Sequence, residues 1–327
     1  MYKSAAHGVI YYYDARHRQA LFTLGIQGIT RSNICAVVVT YFPRPENAEN
    51  LAALASQVER ILVIDNGSSE QTLEPIESAA RRVDATVVRL GANLGIAHAL
   101  NKGLELALEQ GFRWLATFDQ DSRATPGMIE AMARALEAYP ESERIALVTP
   151  IHLDRRSGVA VSDRWREQSG ADWQVIRTTM TSGNLVNIEA ARAVGGFEDT
   201  LFIDYVDHEF CLRLRRHGYR ILEATRAVLS HALGEMELRQ VGAKRVGITH
   251  HSALRRYYIT RNRMLLWRQY WRYEPAWVLR DVRRFLSESA GIVLFENDAR
   301  KKMRMTWRGI RDASRNIRGA FDPVRSR

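Results

Sequence analysis

The chain has 327 residues, of which 46% are hydrophobic and 26% are charged, and a formal net charge of +10. This length allows one large or two modest domains with a buried core, and the composition is that of an ordinary globular protein. The two cysteines, Cys35 and Cys211, lie far apart in apolar stretches. This excludes a disulfide framework and a CxxC metal site, and it favours a reducing compartment, the cytoplasm. No run of about 18 apolar residues is present, so the sequence predicts no membrane-spanning helix.

The positive charge is concentrated towards the C-terminal end. Residues 251–327 hold 19 Lys and Arg against 7 Asp and Glu, a balance of +12, whereas residues 1–250 have a balance of −2. This asymmetry predicts an anionic partner for residues 251–327 alone. Residues 1–32 contain no signal-peptide core, and we expect them to form an extension to the fold.

Apolar, β-branched runs alternate with helical patterns over the first 150 residues. Strands are expected at residues 34–41, 60–65, 85–90, 113–118 and 145–149, and helices at residues 46–58, 70–81, 94–110 and 126–139. In the third helix, apolar residues recur at a spacing of four from Ile96 to Leu108, after Asn93 as N-cap and before Gly111. This alternation predicts βαβ units in a mostly parallel sheet, whose ligands bind at the carboxyl ends of the strands.

The pattern is mixed from about residue 150 to residue 235. Strands are expected there at residues 174–188 and 220–230, on either side of a helix at residues 205–217. After residue 250 the sequence is helical, aromatic and basic. We therefore expect three parts, namely the extension 1–32, an α/β domain at 33–250 and a helical C-terminal region at 251–327.

Two aspartates, Asp119 and Asp121, flank Gln120 at the end of the fourth expected strand. Carboxylates at this position converge where an open α/β sheet binds its ligand. They suit a hard divalent cation such as Mg²⁺ or Mn²⁺, which would offset the negative charge that develops on a diphosphate leaving group. The alternative is that both aspartates only form a turn that leads into the next helix.

Other short motifs occur in order along the chain, most of them at strand ends. They are VVTY at residues 38–41, VIDNGS at 63–68, GANLG at 91–95, TSGN at 181–184, GGF at 195–197, and DYVDHE at 204–209 followed by Arg213. As an ordered set over residues 34–235, they resemble the inverting GT-A glycosyltransferases called family 2. Within this family, FDQDS at 118–122, IDYVDHEFCLR at 203–213 and LRRYY at 254–258 with Arg261 and Asn262 are most similar to bacterial rhamnosyltransferases that use dTDP-L-rhamnose.

The resemblance implies a GT-A fold, in which a mostly parallel sheet is flanked by helices, with a C-terminal helical extension. It implies inverting transfer of L-rhamnose from dTDP-L-rhamnose, a nucleotide-diphospho-sugar donor, with a divalent cation (Mg²⁺ or Mn²⁺) as cofactor. The implied acceptor is a glycan or polyprenyl-linked glycan of a surface polysaccharide (O-antigen, capsule or cell wall). Such an enzyme is cytoplasmic, or peripheral on the inner face of the plasma membrane.

The resemblance also assigns residues to the donor nucleotide. Asp65 would accept a hydrogen bond from the base, besides serving as a turn residue, and Thr40 and Tyr41 would border the base or ribose. Asn93 and Gly95 would act through free backbone N–H groups, which favour phosphate at a helix start. The alternative for Asn93 and Gly95 is a plain N-cap turn.

Metal ligands follow from the same resemblance. Asp119 would contact both donor and cation, Asp121 would be a second ligand, and His231 would complete the metal shell. A lone histidine is otherwise often structural, so a structural role for His231 stays open.

The acceptor side is assigned to residues later in the chain. Asp207 would be the general base, although relatives often have Glu-Asp where this chain has Val206-Asp207. Glu209 would bind the acceptor or hold Arg213, and Gly183 and Asn184 would line the acceptor site. The alternative for Asp207 and Glu209 is that they only charge the first turn of a helix.

From Leu254 to Trp277, arginines interleave with tyrosines and tryptophans at spacings of three and four. A helix with an aromatic and a cationic face lies in a membrane interface with its arginines on anionic lipid, where it would reach a polyprenyl-linked acceptor. The alternative is a helix packed on the catalytic domain with its aromatic residues in the core. No nucleic-acid partner is expected, because no nucleic-acid-binding fold accompanies the charge.

Two other functions are compatible with the predicted sheet. A non-catalytic glycan-binding homologue is one, and the presence of both aspartates of the DxD motif, Asp207 and His231 argues against it. A nucleotidyltransferase that makes nucleotide-sugars is the other. It would have a Gly-rich loop with Arg or Lys after the first strand, where this chain has the sequence TYFP at residues 40–43.

Overall fold

The structure of the chain is a computed structural model. It describes residues 28–154, 166–231 and 251–323 apart from 297, together with the strand residues 5–6, 9–10, 160–161, 236–241 and 244–249. Of residues 5–6, 9–10, 161, 166, 231, 236–241 and 244–249 it describes the backbone alone. Most of the extension expected at residues 1–32 therefore lies outside the described residues.

An 11-stranded sheet lies at the centre of the described chain. In chain order, the strands are β1 (Ala5–Ala6), β2 (Val9–Ile10), β3 (Ile34–Thr40), β4 (Arg60–Asp65), β5 (Thr86–Arg89), β6 (Trp114–Asp119), β7 (Ser122–Ala124), β8 (Ile145–Asp154), β9 (Ala160–Val161), β10 (Arg166–Ser169), β11 (Trp173–Ile176), β12 (Asn184–Asn187), β13 (Arg220–His231), β14 (Met236–Val241) and β15 (Lys244–Thr249). β1 pairs with β2 and β14 with β15. The others follow the order β10-β11-β13-β8-β12-β6-β3-β4-β5, with β7 on β13 and β9 on β8.

The helices cover both faces of this sheet. They are α1 (Glu49–Ala55), α2 (Glu70–Arg82), α3 (Ile96–Glu109), α4 (Met128–Glu137), α5 (Ile188–Ala193), α6 (Val206–Arg216), α7 (Ala253–Tyr270), α8 (Pro275–Phe295) and α9 (Ala299–Ser314). β3 to β6 run parallel to one another, and β12 is antiparallel to its neighbours β6 and β8. The predicted mostly parallel α/β sheet is therefore confirmed.

β3 shows how the sheet is buried on both faces. Every one of its residues is buried, as expected for a strand read as a continuous apolar run. Because successive side chains point to opposite faces, Cys35 and Val37 pack in the layer that contains α3 and α6, whereas Ala36 and Val38 pack in the layer of α1, α2 and α4. The two layers hold the sheet rigidly, and its carboxyl edge is left for the site.

Two element boundaries differ from the expectation for local reasons. The strand expected at residues 174–188 is divided into β11 and β12 by a loop that ends at Gly183, where φ is +84°. The third helix starts at Ile96 rather than at residue 94, because Gly95 has φ +95° and its ideal Cβ would lie 2.6 Å from the Phe202 carbonyl oxygen. The left-handed backbone of both glycines therefore sets the boundaries.

The C-terminal helices pack on the catalytic domain. Tyr257, Tyr258, Tyr270 and Trp277 are buried, so these four pack in the core and cannot lie in a membrane interface, whereas Trp271 and Tyr273 of the same predicted set are each 55% exposed. Arg261 of α7 is buried as well, with an exposed fraction of 0%. No helix in the described part of the chain is both long and apolar enough to cross a membrane.

Candidate active site

The ends of three neighbouring strands bring the predicted donor residues together. Thr40 of β3 is the register partner of Asp65 on β4, and Val39 is the partner of Asp119 on β6. Tyr41 follows directly and its side chain is 46% exposed. The carboxyl edge of the sheet therefore places Thr40, Asp65 and Asp119 side by side, as the sequence predicted for a ligand site.

The Asp65 carboxylate is fully engaged by its own turn. Oδ1 accepts from the Thr40 hydroxyl at 3.0 Å and from the Ser68 hydroxyl at 2.5 Å. Oδ2 accepts from the backbone N–H groups of Gly67 at 3.1 Å and Ser68 at 2.9 Å. A carboxylate has about four acceptor positions, so a base N–H can bind here only by replacing one of these donors.

Gln120, the central residue of the DxD motif, ties two strand ends together. Its Oε1 accepts from the Tyr41 N–H at 2.8 Å, and its Nε2 donates to the Tyr41 carbonyl at 3.2 Å. Its own carbonyl accepts from Asn50 Nδ2 of α1 at 2.8 Å. Gln120 therefore fixes the backbone at Tyr41 relative to the two aspartates, a role that the sequence analysis missed.

The turn before α3 uses its N–H groups internally. Asn66 Oδ1 accepts from Leu94 N–H at 2.9 Å, Asn93 Oδ1 accepts from Gly95 N–H at 3.0 Å, and Ile96 N–H donates to a carbonyl at 2.9 Å. The Gly95 N–H is therefore not free to bind phosphate, whereas for the Asn93 N–H the expected phosphate contact stays a prediction. The structure shows a turn at the start of the helix, which is the alternative that the sequence left open, and the N-cap of this helix is Gly95 rather than Asn93.

The region around the two aspartates is built from the loop before β12. The Asp119 N–H donates to Ser182 Oγ at 3.0 Å, and Ser182 Oγ donates to Ser122 Oγ at 2.7 Å. His152 Nε2 donates to the Ser182 carbonyl at 2.7 Å. These contacts fix the position of the turn at residues 119–122.

Backbone register brings the predicted histidine to the same turn. His231, at the end of β13, is the register partner of Ser122 on β7 and of Asp154 on β8. The side chain of His231 lies outside the described residues, so its role as a metal ligand stays a prediction. Among the side chains that are described, no group of three or more His, Cys, Asp or Glu forms a metal cluster.

A strained turn precedes α6. The Ile203 N–H donates to the Leu201 carbonyl at 2.8 Å, and Phe202 between them has φ 67° and ψ −63°, the rare positive-φ form of γ-turn. Asp204 and Tyr205 follow with φ 62° and 65°. Backbone of this kind costs roughly 1–3 kcal/mol for each residue, so the surrounding structure has to hold it.

Buried side chains of α7 hold this turn. Asn262 Nδ2 lies within 3.0 Å of three carbonyl oxygens, those of Leu201, Ile203 and Asp204. Arg261 Nη2 donates to the Leu201 carbonyl at 3.0 Å, and both α7 residues are completely buried. The C-terminal region is therefore part of the structure that positions the start of α6.

The half-buried Asp207 is the second residue of α6, and its Oδ1 accepts from the His208 N–H at 2.8 Å. Nearby, Arg255 of α7 forms an ion pair with Asp204, with Nη2 and Oδ1 3.0 Å apart. Burial raises the pKa of Asp204, Arg255 lowers it, and the negative charge of Asp207 raises it further. Asp204, Asp207 and Arg255 thus form one electrostatically coupled group.

The three residues predicted to bind the acceptor are all buried. Glu209 is 1% exposed, and its carboxylate accepts from Arg213 Nη2 at 2.7 Å and from the Tyr270 hydroxyl at 2.9 Å. It holds Arg213, as one of its predicted roles required, and does not reach an acceptor. Asn184 is 3% exposed and donates to a backbone carbonyl, and Gly183 is buried. These residues support the loop beneath Asp119 rather than line an open surface.

Similarity to solved structures defines the class of protein. The mannosyltransferase PcManGT from Pyrobaculum calidifontis in complex with GDP-Man and Mn²⁺ aligns over 92% of this chain and 93% of its own, with a TM-score of 0.53 and 15% identity. S. aureus TarS in complex with UDP-GlcNAc aligns over 90% and 95%, with a TM-score of 0.52 and 13% identity. At these identities the likeness establishes the fold, which is the GT-A fold.

Sequence similarity then gives the family. The model of Glycosyl transferase family 2 matches residues 35–168. The dTDP-rhamnosyl transferase RfbF of Shigella flexneri is 31% identical in an alignment of 252 residues that covers 73% of this chain and 81% of that protein. The chain belongs to glycosyl transferase family 2, and it is a glycosyltransferase.

Proposed function

We propose that this enzyme transfers L-rhamnose with inversion from dTDP-L-rhamnose to a glycan or polyprenyl-linked glycan of a surface polysaccharide. The similarity to a dTDP-rhamnosyl transferase over most of both chains supports this donor. The observation that carries the reaction is the arrangement of carboxylates. Asp119 ends β6 on the donor side, Asp207 is the second residue of α6, and Asp204 directly before this helix pairs with Arg255, whose Nη2 lies 3.0 Å from Oδ1.

On the donor side, the nucleotide lies across the ends of β3 and β4 in this proposal. Thr40 and Tyr41 border the base or ribose, and the base N–H binds Asp65 in place of the Ser68 hydroxyl. After that exchange Ser68 Oγ still accepts from the Phe42 N–H at 2.8 Å, and its proton can be donated to solvent because Ser68 is only half-buried. Gly95 contributes the shape of the adjacent turn, because its N–H is bonded to Asn93 Oδ1, and Asn93 offers its backbone N–H to the phosphates.

The chemistry of the residues around the DxD motif fits a divalent cation. Asp119 and Asp121 supply hard carboxylate oxygens at one strand end, and the register of β13 brings His231 beside them. Oxygen ligands with one imidazole suit Mg²⁺ or Mn²⁺. When bound, the cation would offset the negative charge of the departing diphosphate.

Asp207 acts as the general base in this mechanism. The acceptor hydroxyl oxygen forms a bond to the anomeric carbon while the bond from that carbon to the β-phosphate oxygen breaks. The bonding electron pair leaves with the nucleoside diphosphate, and the hydroxyl proton passes to the Asp207 carboxylate. Attack from the face opposite the diphosphate inverts the anomeric centre.

The proposed membrane contact moves to surfaces of α8 and α9. On α8, Leu279, Leu286 and Val293 recur every seven residues and are 53%, 61% and 58% exposed. On α9, Trp307 is 67% exposed and lies on one helical face with the exposed Arg300 and Arg304. An exposed tryptophan beside cations is typical of helices that lie on anionic lipid, where a polyprenyl-linked acceptor is found.

The donor and the cation are tested together by nucleoside diphosphate release from dTDP-L-rhamnose, dTDP-glucose, UDP-GlcNAc and GDP-mannose. We expect release from dTDP-L-rhamnose, dependence on Mg²⁺ or Mn²⁺, and loss of turnover in Asp121→Asn protein. Asp84→Asn is the matched control, because Asp84 is fully exposed with φ 53°, a backbone that asparagine tolerates. Preference for another donor would overturn the proposed sugar, and full turnover in EDTA would overturn the metal site.

The general base is tested by Asp207→Asn. We expect kcat to fall by about 10²-fold or more, the scale of general-base loss, with the donor affinity measured by calorimetry little changed. Glu209→Gln is the comparison, because it removes a buried carboxylate two residues further along the same helix and should lower thermal stability first. Loss of donor affinity with unchanged kcat would instead place Asp207 in the nucleotide site.

Membrane docking is tested by sedimentation with vesicles of phosphatidylglycerol and phosphatidylcholine, and with phosphatidylcholine alone. Replacing Arg300, Lys301 and Arg304 by Gln should weaken binding to the anionic vesicles by roughly 10²-fold, because each cation near an anionic surface contributes about 1 kcal/mol. Replacing the exposed Arg31, Arg44 and Arg82 by Gln removes the same charge elsewhere on the surface. Equal losses in both triple variants, or equal binding to both vesicle types, would contradict a docking surface on α9.

A further inference from the structure

Arg255 is an arginine of α7 that faces the site rather than the interior. It lies in the first turn of the helix, where its N–H donates to the hydroxyl of the N-cap Ser252 at 3.2 Å. Its side chain is 49% exposed, whereas those of Arg256 and Arg263 on the same helix are 6% and 2% exposed. The two buried arginines pair with carboxylates of the C-terminal helices, so they are not available to a ligand.

The contact with Asp204 uses only part of the guanidinium. Nε lies 3.1 and 3.3 Å from the two carboxylate oxygens of Asp204, and Nη2 lies 3.0 Å from Oδ1. A guanidinium carries five N–H donors. In the described part of the chain, Nη1 makes no hydrogen bond, so Arg255 can hold Asp204 and a second anion at once.

The electrostatic surroundings indicate where this second anion belongs. Burial alone would lower the pKa of Arg255, but the carboxylates of Asp204, Asp119 and Asp207 outweigh it and raise that pKa. The guanidinium therefore lies in the electrostatic field of Asp119 of the DxD motif and of the proposed base, Asp207. The three carboxylates around Arg255 repel a diphosphate. A diphosphate can therefore bind here only if positive charge lies at its binding site.

We propose that Arg255 binds the diphosphate of the donor through its Nη1 side, while Asp204 holds the other side of the fork. This role rests on the proposed function. When the bond between the anomeric carbon and the β-phosphate oxygen breaks, the electron pair remains on that oxygen, and an N–H donor of Arg255 stabilises the charge. Asp204 is then a positioning residue, because it orients the guanidinium without touching the donor.

The direct test compares binding of dTDP and of dTMP by calorimetry. Arg255→Gln should weaken dTDP binding about 10- to 100-fold, the scale of a lost charge-assisted contact, and should change dTMP binding much less. Arg255→Lys should recover a large part of the dTDP affinity, because it keeps the charge. Arg283→Gln on the exposed surface of α8 removes the same charge and should leave both affinities unchanged.

A purely structural role for Arg255 gives a different pattern. If the residue only holds Asp204 and the turn, Arg255→Gln lowers kcat and the melting temperature while the ratio of dTDP to dTMP affinity stays that of the wild type, and Lys does not rescue. That result would overturn the assignment. Stronger binding of UDP or GDP than of dTDP would overturn the proposed donor instead. The same comparison of diphosphate with monophosphate would then be made with that nucleotide.

Discussion

The backbone of residues 201–205 is the constraint on which the rest of the site depends. A γ-turn at Phe202 and left-handed conformations at Asp204 and Tyr205 direct the chain into α6, and so decide where Asp207 lies. A turn of this kind is unfavourable by itself, roughly 1–3 kcal/mol for each residue. It persists because Asn262 and Arg261 donate to its carbonyl oxygens from a completely buried position. Removing the Asn262 side chain would take this donor from the carbonyl oxygens of Ile203 and Asp204, and leaving such groups unsatisfied costs more than the hydrogen bonds contribute on balance.

This dependence explains why α7 is a buried helix although its sequence is rich in arginine. Arg261 and Arg263 lie in the interior because carbonyl groups, carboxylates and aromatic faces there satisfy the guanidinium groups. Arg255, in the first turn of α7, interacts electrostatically with the carboxylates of the site instead. The positive charge of residues 251–327 therefore serves separate purposes. Some of these cations hold the turn of residues 201–205, one binds the donor in our proposal, and others are exposed on α9.

Much of the fold could be predicted from the sequence, because each parallel strand is a continuous apolar run that ends in a polar motif. The shared carboxyl edge of Thr40, Asp65 and Asp119 follows from that pattern alone. The contacts that complete the site could not be predicted. In the sequence, Gln120 looks like a spacer between two aspartates, and only the structure shows that its amide bonds to the Tyr41 backbone. The role of Asn262 depends on a turn that lies 58 residues earlier in the chain. For Glu209 the sequence allows acceptor binding or a contact with Arg213, because helix position alone does not reveal that Tyr270 also bonds its carboxylate and helps to bury it. Likewise, the aromatic residues of α7 would have the same spacing on a membrane-facing surface and in a core, so their spacing does not distinguish the two.

Hydrogen–deuterium exchange of the turn tests the central claim most directly. Asn262→Asp keeps the side-chain volume but places a carboxylate against three carbonyl oxygens, whereas Asn187→Asp is a matched control at a helix N-cap, where aspartate serves equally well. We expect faster exchange of the amides of residues 201–207 in Asn262→Asp protein, a fall in kcat of at least about tenfold, and unchanged protection of β3, β4 and β6. Wild-type exchange in the turn together with wild-type kcat would show that α7 does not position Asp207.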